Sequence, residues 1–280
     1  MALINFFVLL NVLFPLIFSI QTTKLTKSFP MSSKIGHQIV HLDTVKSTNS
    51  YLLALLEKEN VDEGTVISAV EQSGGRGQRL NSWESERGKN MTLSLFLKPA
   101  IKVQEHFVLN KMISIGIVDF LREFVFDELS IKWPNDIYVD DYKIGGILIE
   151  SKIVGSKVAS AVIGIGININ QTKFDTSIPN PISIKGNTGK LMDLNECLTK
   201  LCLHIEDQYA RMKSGKTAEI DKAYELLLYR LNQFHEFIIK GNVAIAKIIG
   251  VDDIGKLILR SKTDQLFYCD MKEVEYRIKT

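Results

Sequence analysis

The chain is 280 residues long, 45% hydrophobic and 24% charged, which is a globular composition rather than a disordered or fibrous one. With 34 basic and 32 acidic residues the net charge is +2, so no global basic field marks a dedicated nucleic-acid binder. Cys197, Cys202 and Cys269 are an odd number without CxxC or metal-type histidine spacing. That excludes a disulfide scaffold and a zinc site, so no metal ligands are assigned and reduced, buried thiols are expected.

Residues 3–20 are almost wholly apolar, and no charge appears before Lys24. The run approaches the ~20 residues that span a bilayer. It lacks the basic start and small-residue cleavage site of a secretory signal. The first cations, Lys24 and Lys27, follow it, an order that would leave the rest of the chain in the cytoplasm. Met31 opens an ordinary polar sequence. Translation from Met31 is the favoured expectation, giving a cytoplasmic protein; an anchor through residues 3–20 is the alternative.

Ser47, Thr48 and Asn49 are good helix N-caps, and Tyr51, Leu52, Leu55 and Leu56 after them share one helical face. A helix of about ten residues is expected there. Residues 65–70 are β-branched and read as a strand. Residues 91–98 alternate apolar and polar, as a half-buried strand does. Residues 106–124 have helical periodicity, and 130–133, 137–140, 143–150 and 158–169 are consecutive strands joined by tight turns. Helices are expected over about 191–213 and 217–234, then short strands to the end. The fold class is α+β: a mixed, largely antiparallel sheet with helices, then a small barrel-like β domain. The expected divisions are 1–30, 31–235 and 236–280.

Some motifs fail on chemistry. Residues 250–256 match the start of a P-loop, but Leu257 stands where a hydroxyl must bind magnesium. Residues 164–168 begin like a dinucleotide fingerprint, but Ile169 takes the third glycine place. The five histidines form no metal-type pair, and no GxSxG elbow occurs.

Three segments carry chemistry. Residues 71–90 set Gly74, Gly75 and Gly77 around Arg76. Glycines let backbone amides approach a ligand, and an arginine there can hold phosphate or carboxylate in two-pronged fashion. Residues 131–150 place Lys132 beside Trp133, and Lys143 just before Gly145 and Gly146. A lysine among buried aromatics is costly unless it meets an anion, so the two lysines and the arginine loop form a candidate phosphate clamp. Residues 164–170 alternate glycines with β-branched residues, leaving backbone bare for a flat ligand. The bland counterparts are a surface loop, a solvated hairpin and a tight strand pair.

Taken together, Ser47-Thr48-Asn49, Gln72, Gly75-Arg76-Gly77, Trp83, Lys132-Trp133-Pro134-Asn135-Asp136, Lys143-Ile144-Gly145-Gly146 and Gly164-Ile165-Gly166-Ile167-Asn168 resemble biotin–protein ligases, in family order across roughly residues 38–280. The resemblance implies a class II synthetase-like catalytic fold with a small C-terminal SH3-like barrel. It implies an ATP-dependent, AMP-forming ligase that makes biotinyl-5′-AMP and passes biotin to a lysine of a biotin carboxyl carrier protein. Biotin, ATP and Mg²⁺ are the implied small molecules. By resemblance Lys132 and Arg76 are catalytic. Ser47, Thr48, Asn49, Gln72, Arg76, Gly77, Gln78 and Lys132 contact biotin. Trp83, Asn90, Asn135, Asp136, Lys143, Gly146 and Asn168 serve the nucleotide, Trp83 by stacking on adenine.

The chain departs from the family at Gln78, where a second arginine is common, and at Leu80, where a glycine is expected. Gln78 removes a charge near the adenylate and bears on its retention. The resemblance allows a homodimer and implies no nucleic-acid partner, since only about thirty apolar residues precede the core. The alternatives weighed are a lipoate–protein ligase, a biotin-dependent repressor and a non-catalytic biotin-binding protein.

Overall fold

The computed structural model describes residues 24–25, 34–78 and 81–277; the apolar run 3–20, Met31 and Leu80 lie outside them. In chain order the strands are β1 (Lys24–Leu25), β2 (Ile39–Val45), β3 (Val66–Gln72), β4 (Met91–Leu97), β5 (Ile101–Lys102), β6 (Leu129–Lys132), β7 (Asp136–Val139), β8 (Tyr142–Val154), β9 (Lys157–Ile167), β10 (Phe234–Ile239), β11 (Asn242–Val251), β12 (Leu257–Ser261), β13 (Leu266–Cys269) and β14 (Val274–Tyr276). The helices are α1 (Thr48–Lys58), α2 (Phe107–Leu121), α3 (Ile184–Thr188), α4 (Leu194–Lys213) and α5 (Thr217–Leu226).

Among the described residues, a nine-stranded sheet runs β1-β2-β3-β4-β9-β8-β7-β6, with β5 added on β9. Only β2 and β3 are parallel. Parallel neighbours need a crossover, and α1 supplies it. Ser47 caps α1 by accepting from Ser50 N. The expected α+β architecture is therefore present, largely antiparallel, with a second five-stranded antiparallel sheet in the order β13-β12-β11-β10-β14.

The strand expected to be half-buried, β4, is buried along its whole length. Its alternation is real, but both faces are covered. Met91, Leu93, Leu95 and Leu97 join the main core with α2, while Phe96 packs with Leu52 of α1, Ile67 and Val162. Thr92 and Ser94 lie on the same side as Phe96, buried rather than solvated. Helix α2 is buried nearly all round, as its apolar composition requires. Lys111, its buried cation, pairs with Asp221 of α5 at 2.7 Å.

The helix expected over 217–234 stops at Leu226. The chain then turns through Arg230 and Asn232, both at positive φ, and Phe234 begins β10. The C-terminal sheet does not bury a core of its own. Phe237, Ile239, Ala246, Ile248, Leu257 and Leu259 belong to the same apolar cluster as α2 and the large sheet. Trp133 Nε1 donates to Gly255 O at 3.0 Å and ties the two sheets together. No helix among the described residues is long and apolar enough to cross a membrane.

All three cysteines are buried and free. Burial pushes the Cys197 and Cys202 thiols up to about 12 and raises that of Cys269. Thiolates are the reactive form, so the native protein should be inert to a thiol-titrating disulfide reagent at pH 8. All three thiols should react once the chain is unfolded in guanidinium; a thiol titrating in the native state would contradict the packing.

Candidate active site

The segments singled out in the sequence converge on the face of the large sheet covered by α1. The N-terminus of α1 brings Ser47, Thr48 and Asn49 against the end of β3, the middle of β8 and Gly164 of β9. Together with Gln72, Arg76, Gly77, Gln78, Trp83, Asn135, Asp136, Lys143, Gly146, Gly164 and Gly166 they line a cavity of about 140 Å³. A second cavity, of about 520 Å³, is lined by Lys132, Asp136, Tyr138, Lys143, Asn168, Phe174 and the 177–181 segment. The two cavities share Asn81, Ser82, Trp83, Asp136 and Lys143.

A network of buried polar groups sets the first cavity. Gln72 Oε1 accepts from Thr48 N at 2.8 Å and from Thr48 Oγ1 at 3.2 Å. Ser94 Oγ lies 2.7 Å from Thr48 Oγ1 and 2.5 Å from Asn49 Oδ1. Asn49 Nδ2 donates to Glu150 at 2.8 Å and to Leu148 O at 3.3 Å. Arg76 donates to Ser50 Oγ at 3.1 Å and pairs with Glu150. Buried polar groups need such partners, and here each bond joins α1 to a strand or to the arginine loop, or that loop to β8.

The glycines of β8 and β9 make room for this arrangement. A Cβ on Gly164 would lie 2.6 Å from Asn49 Oδ1, and one on Gly166 would overlap the Trp83 indole. The flat group expected against these bare strands is thus the chain's own Trp83. Its Nε1 is buried with no hydrogen-bond partner among the described residues. Lys143 Nζ lies 5.9 Å from the Trp83 ring centroid and forms a 2.7 Å ion pair with Asp136. Gly75 accepts from Trp83 N at 3.0 Å, which fixes the base of the arginine loop.

In the second cavity Lys132 Nζ donates to Tyr138 Oη at 3.0 Å. It faces the rings of Tyr138 and Tyr276 at 5.0 and 5.1 Å. It has no carboxylate within ion-pair distance among the described residues. Burial lowers its pKa, with the charges of Lys143 and Arg230 adding to the shift and that of Asp136 opposing it. Burial raises Tyr138 to about 12, so its hydroxyl stays neutral.

Not every expected residue reaches these cavities through its side chain. Asn90 lines neither cavity. Its Nδ2 donates to Gln171 Oε1 at 2.6 Å and its Oδ1 accepts from Ile169 N at 3.0 Å, so both amide atoms are spent holding the strand ends together. Asn135 borders the first cavity, but its Nδ2 donates to Ile147 O at 2.6 Å. Asn168 borders the second, with Nδ2 on Ile182 O at 3.0 Å. Lys132, expected beside biotin, lines the second cavity and not the first, whereas Lys143 lines both.

The sequence profile of the Biotin/lipoate A/B protein ligase family matches residues 42–168. A Paracoccus denitrificans protein named biotin–[acetyl-CoA-carboxylase] ligase is 30% identical over 76% of this chain and 90% of its own. The chain belongs to the biotin–protein ligase family. The bifunctional ligase/repressor BirA of Bacillus spizizenii is 28% identical over 81% of this chain and 71% of its own length. Among solved structures, the Aquifex aeolicus biotin protein ligase in complex with biotin and ATP superposes with a TM-score of 0.71 at 24% identity, covering 86% of this chain and 99% of that one. That likeness extends the ligase fold to both sheets.

As a biotin–protein ligase family member, the chain carries its cavities on a surface with no slack at the glycines. Gly164→Ala should cost about 1–3 kcal/mol in urea unfolding, the usual penalty of overpacking, because Asn49 cannot retreat without breaking its bonds to Ser94 and Glu150. An unchanged midpoint would show that α1 sits further from β9.

Proposed function

We propose that the chain activates biotin with ATP to biotinyl-5′-AMP and transfers biotin to a lysine of a biotin carboxyl carrier protein. The observation that carries this reading is the meeting of two cavities at Trp83, Asp136 and Lys143. Biotin fits the narrow, polar first cavity and the nucleotide the wider second one. The biotin carboxylate and the α-phosphate then face each other at the junction. The names of the Paracoccus relative and of the Aquifex complex with biotin and ATP support the same pairing.

The carboxylate oxygen attacks the α-phosphorus and pyrophosphate leaves. Both reactants are anions, so preorganised positive charge lowers the barrier. Lys143, which borders both cavities, serves the junction, and Lys132 serves the phosphates. Asp136 holds Lys143 in place. Arg76, paired with Glu150 as Lys143 is with Asp136, lines the biotin cavity and adds its charge there. Magnesium enters with ATP as the MgATP substrate; no group of three or more histidine, cysteine or acidic side chains among the described residues forms a metal cage. In the second step the acceptor amine attacks the biotinyl carbonyl, and AMP leaves with the electron pair of the broken C–O bond. No enzyme nucleophile is needed. The C-terminal sheet serves the nucleotide side through Tyr276, whose ring faces Lys132.

The full chain should catalyse biotin-dependent ATP–pyrophosphate exchange and add the mass of one biotin to a carrier domain, with no gain when lipoate replaces biotin. A lipoate-only gain would move the chain to that branch of the family, and no gain with either would leave a binding protein. Lys132→Ala should lower exchange by roughly 10²–10³-fold, in line with loss of one preorganised charge in a closed site, and leave biotin binding within about threefold. Lys143→Ala should weaken both.

Lys132 must keep its proton to act as a cation, and its folded-state pKa lies below the ordinary lysine value. The kcat/KM for ATP, which reports the free enzyme, should therefore fall on the alkaline side before pH 10.5. Lys132→Arg, which keeps its proton throughout, should lack that limb. An identical alkaline limb in Lys132→Arg would assign it to another group.

A further inference from the structure

We propose that Glu150 is a positioning residue of the biotin cavity, holding Arg76 and Asn49 in the arrangement that receives the ligand. The inference rests on the biotin reading of that cavity and concerns the last residue of the 131–150 segment, a side chain to which the sequence analysis gives no role.

Glu150 lies on β8 with a side chain only about one-quarter exposed. One carboxylate oxygen takes the Arg76 guanidinium and the other accepts from Asn49 Nδ2 at 2.8 Å. A carboxylate can only accept hydrogen bonds when ionised. It therefore fixes which way the Asn49 amide faces, with nitrogen toward Glu150 and oxygen toward Ser94. Ser94 in turn contacts Thr48, and Thr48 bonds Gln72. One carboxylate thus anchors a chain that reaches the arginine loop, the start of α1, β4 and β3.

The charge balance points the same way. A bare carboxylate beside a cavity for an anionic ligand would repel that ligand. Paired with Arg76, it leaves the wall nearly neutral and holds the guanidinium within hydrogen-bond distance of Ser50 Oγ, at 3.1 Å. Arg76 is about two-fifths exposed, and side chains of that length lose considerable rotamer entropy when ordered. Glu150 meets that cost in the free protein, so the ligand need not, which is the energetic content of preorganisation.

The test compares wild type, Glu150→Gln, Glu150→Asp, Arg76→Ala and the double variant Glu150→Gln/Arg76→Ala in ATP–pyrophosphate exchange, with thermal midpoints alongside. Glu150→Gln should raise the KM for biotin about tenfold, with kcat and the KM for ATP within twofold and the midpoint within a few degrees. Glu150→Asp, which keeps the charge but is one methylene shorter, should recover part of that loss. The double variant should be no worse than Arg76→Ala, since coupled residues are non-additive. An unchanged biotin KM in Glu150→Gln, or fully additive losses, would overturn the proposal. So would a fall in midpoint accompanied by losses in both KM values, which is the signature of a merely structural carboxylate. Limited trypsin digestion gives a readout independent of activity. Cleavage of the Arg76–Gly77 bond, followed by mass spectrometry, should be faster in Glu150→Gln than in wild type. That difference in a protein lacking biotin-dependent exchange would support the Glu150 hold while refuting the biotin reading; equal cleavage rates would overturn the hold itself.

Discussion

The closeness of α1 and Trp83 to the bare backbone of β8 and β9 is the constraint on which the site depends. Two glycines on one face of β9 leave space that Asn49 and the Trp83 indole fill. Any side chain at either position would lift α1 or the arginine loop from the sheet. Because side chains on a strand alternate, the same face of β8 presents Gly146, Leu148 and Glu150. The pleat therefore delivers in one row an open floor, an apolar contact and a carboxylate.

Polar burial on this face is heavy, yet it is almost fully satisfied. Thr48, Asn49, Thr92 and Ser94 are each at most 3% exposed, and each has a partner. An unpartnered amide or hydroxyl in such a place costs about 1–3 kcal/mol. The network thus converts a destabilising set of residues into a rigid one. Lys132 follows a different logic. It sits among rings and a neutral hydroxyl with no carboxylate in ion-pair contact among the described residues, and the more distant charge of Asp136 offsets only part of the effect of burial, so the fold keeps a cation at a costly place. Perturbed groups of this kind are more common at functional sites than elsewhere.

The order and type of most elements were legible from periodicity and turn residues. What was not legible depended on long-range contact. Strand β4 reads as half-buried because its sequence alternates; the crossover of α1 over Ser94 and Phe96 buries the second face. The helix expected to reach residue 234 ends eight residues sooner, because the segment after Leu226 pairs with both sheets through Leu228 and Leu231. At the site, the glycine loop, the two lysines and the helix-start triplet were all visible as motifs, and they do converge. Asn90 looked equally eligible but is spent bracing strand ends. Glu150 carries no motif signal of its own, although counting by twos from Gly146 along β8 puts it on the cavity face. Tyr276, at the far end of the chain, could not have been matched to Lys132 without the fold.

The two tryptophans of the chain occupy opposite kinds of place. Trp133 is buried at the seam between the sheets, its indole nitrogen bound to Gly255. Trp83 lies between the two cavities, its nitrogen unmatched among the described residues and a lysine near its ring. The intrinsic fluorescence of the protein is therefore the sum of two separable reporters. One emits according to the integrity of the seam, the other according to whatever enters the cavities. Replacing either indole by phenylalanine would leave a single-colour probe, one of assembly of the sheets and one of ligand occupancy, with no label attached.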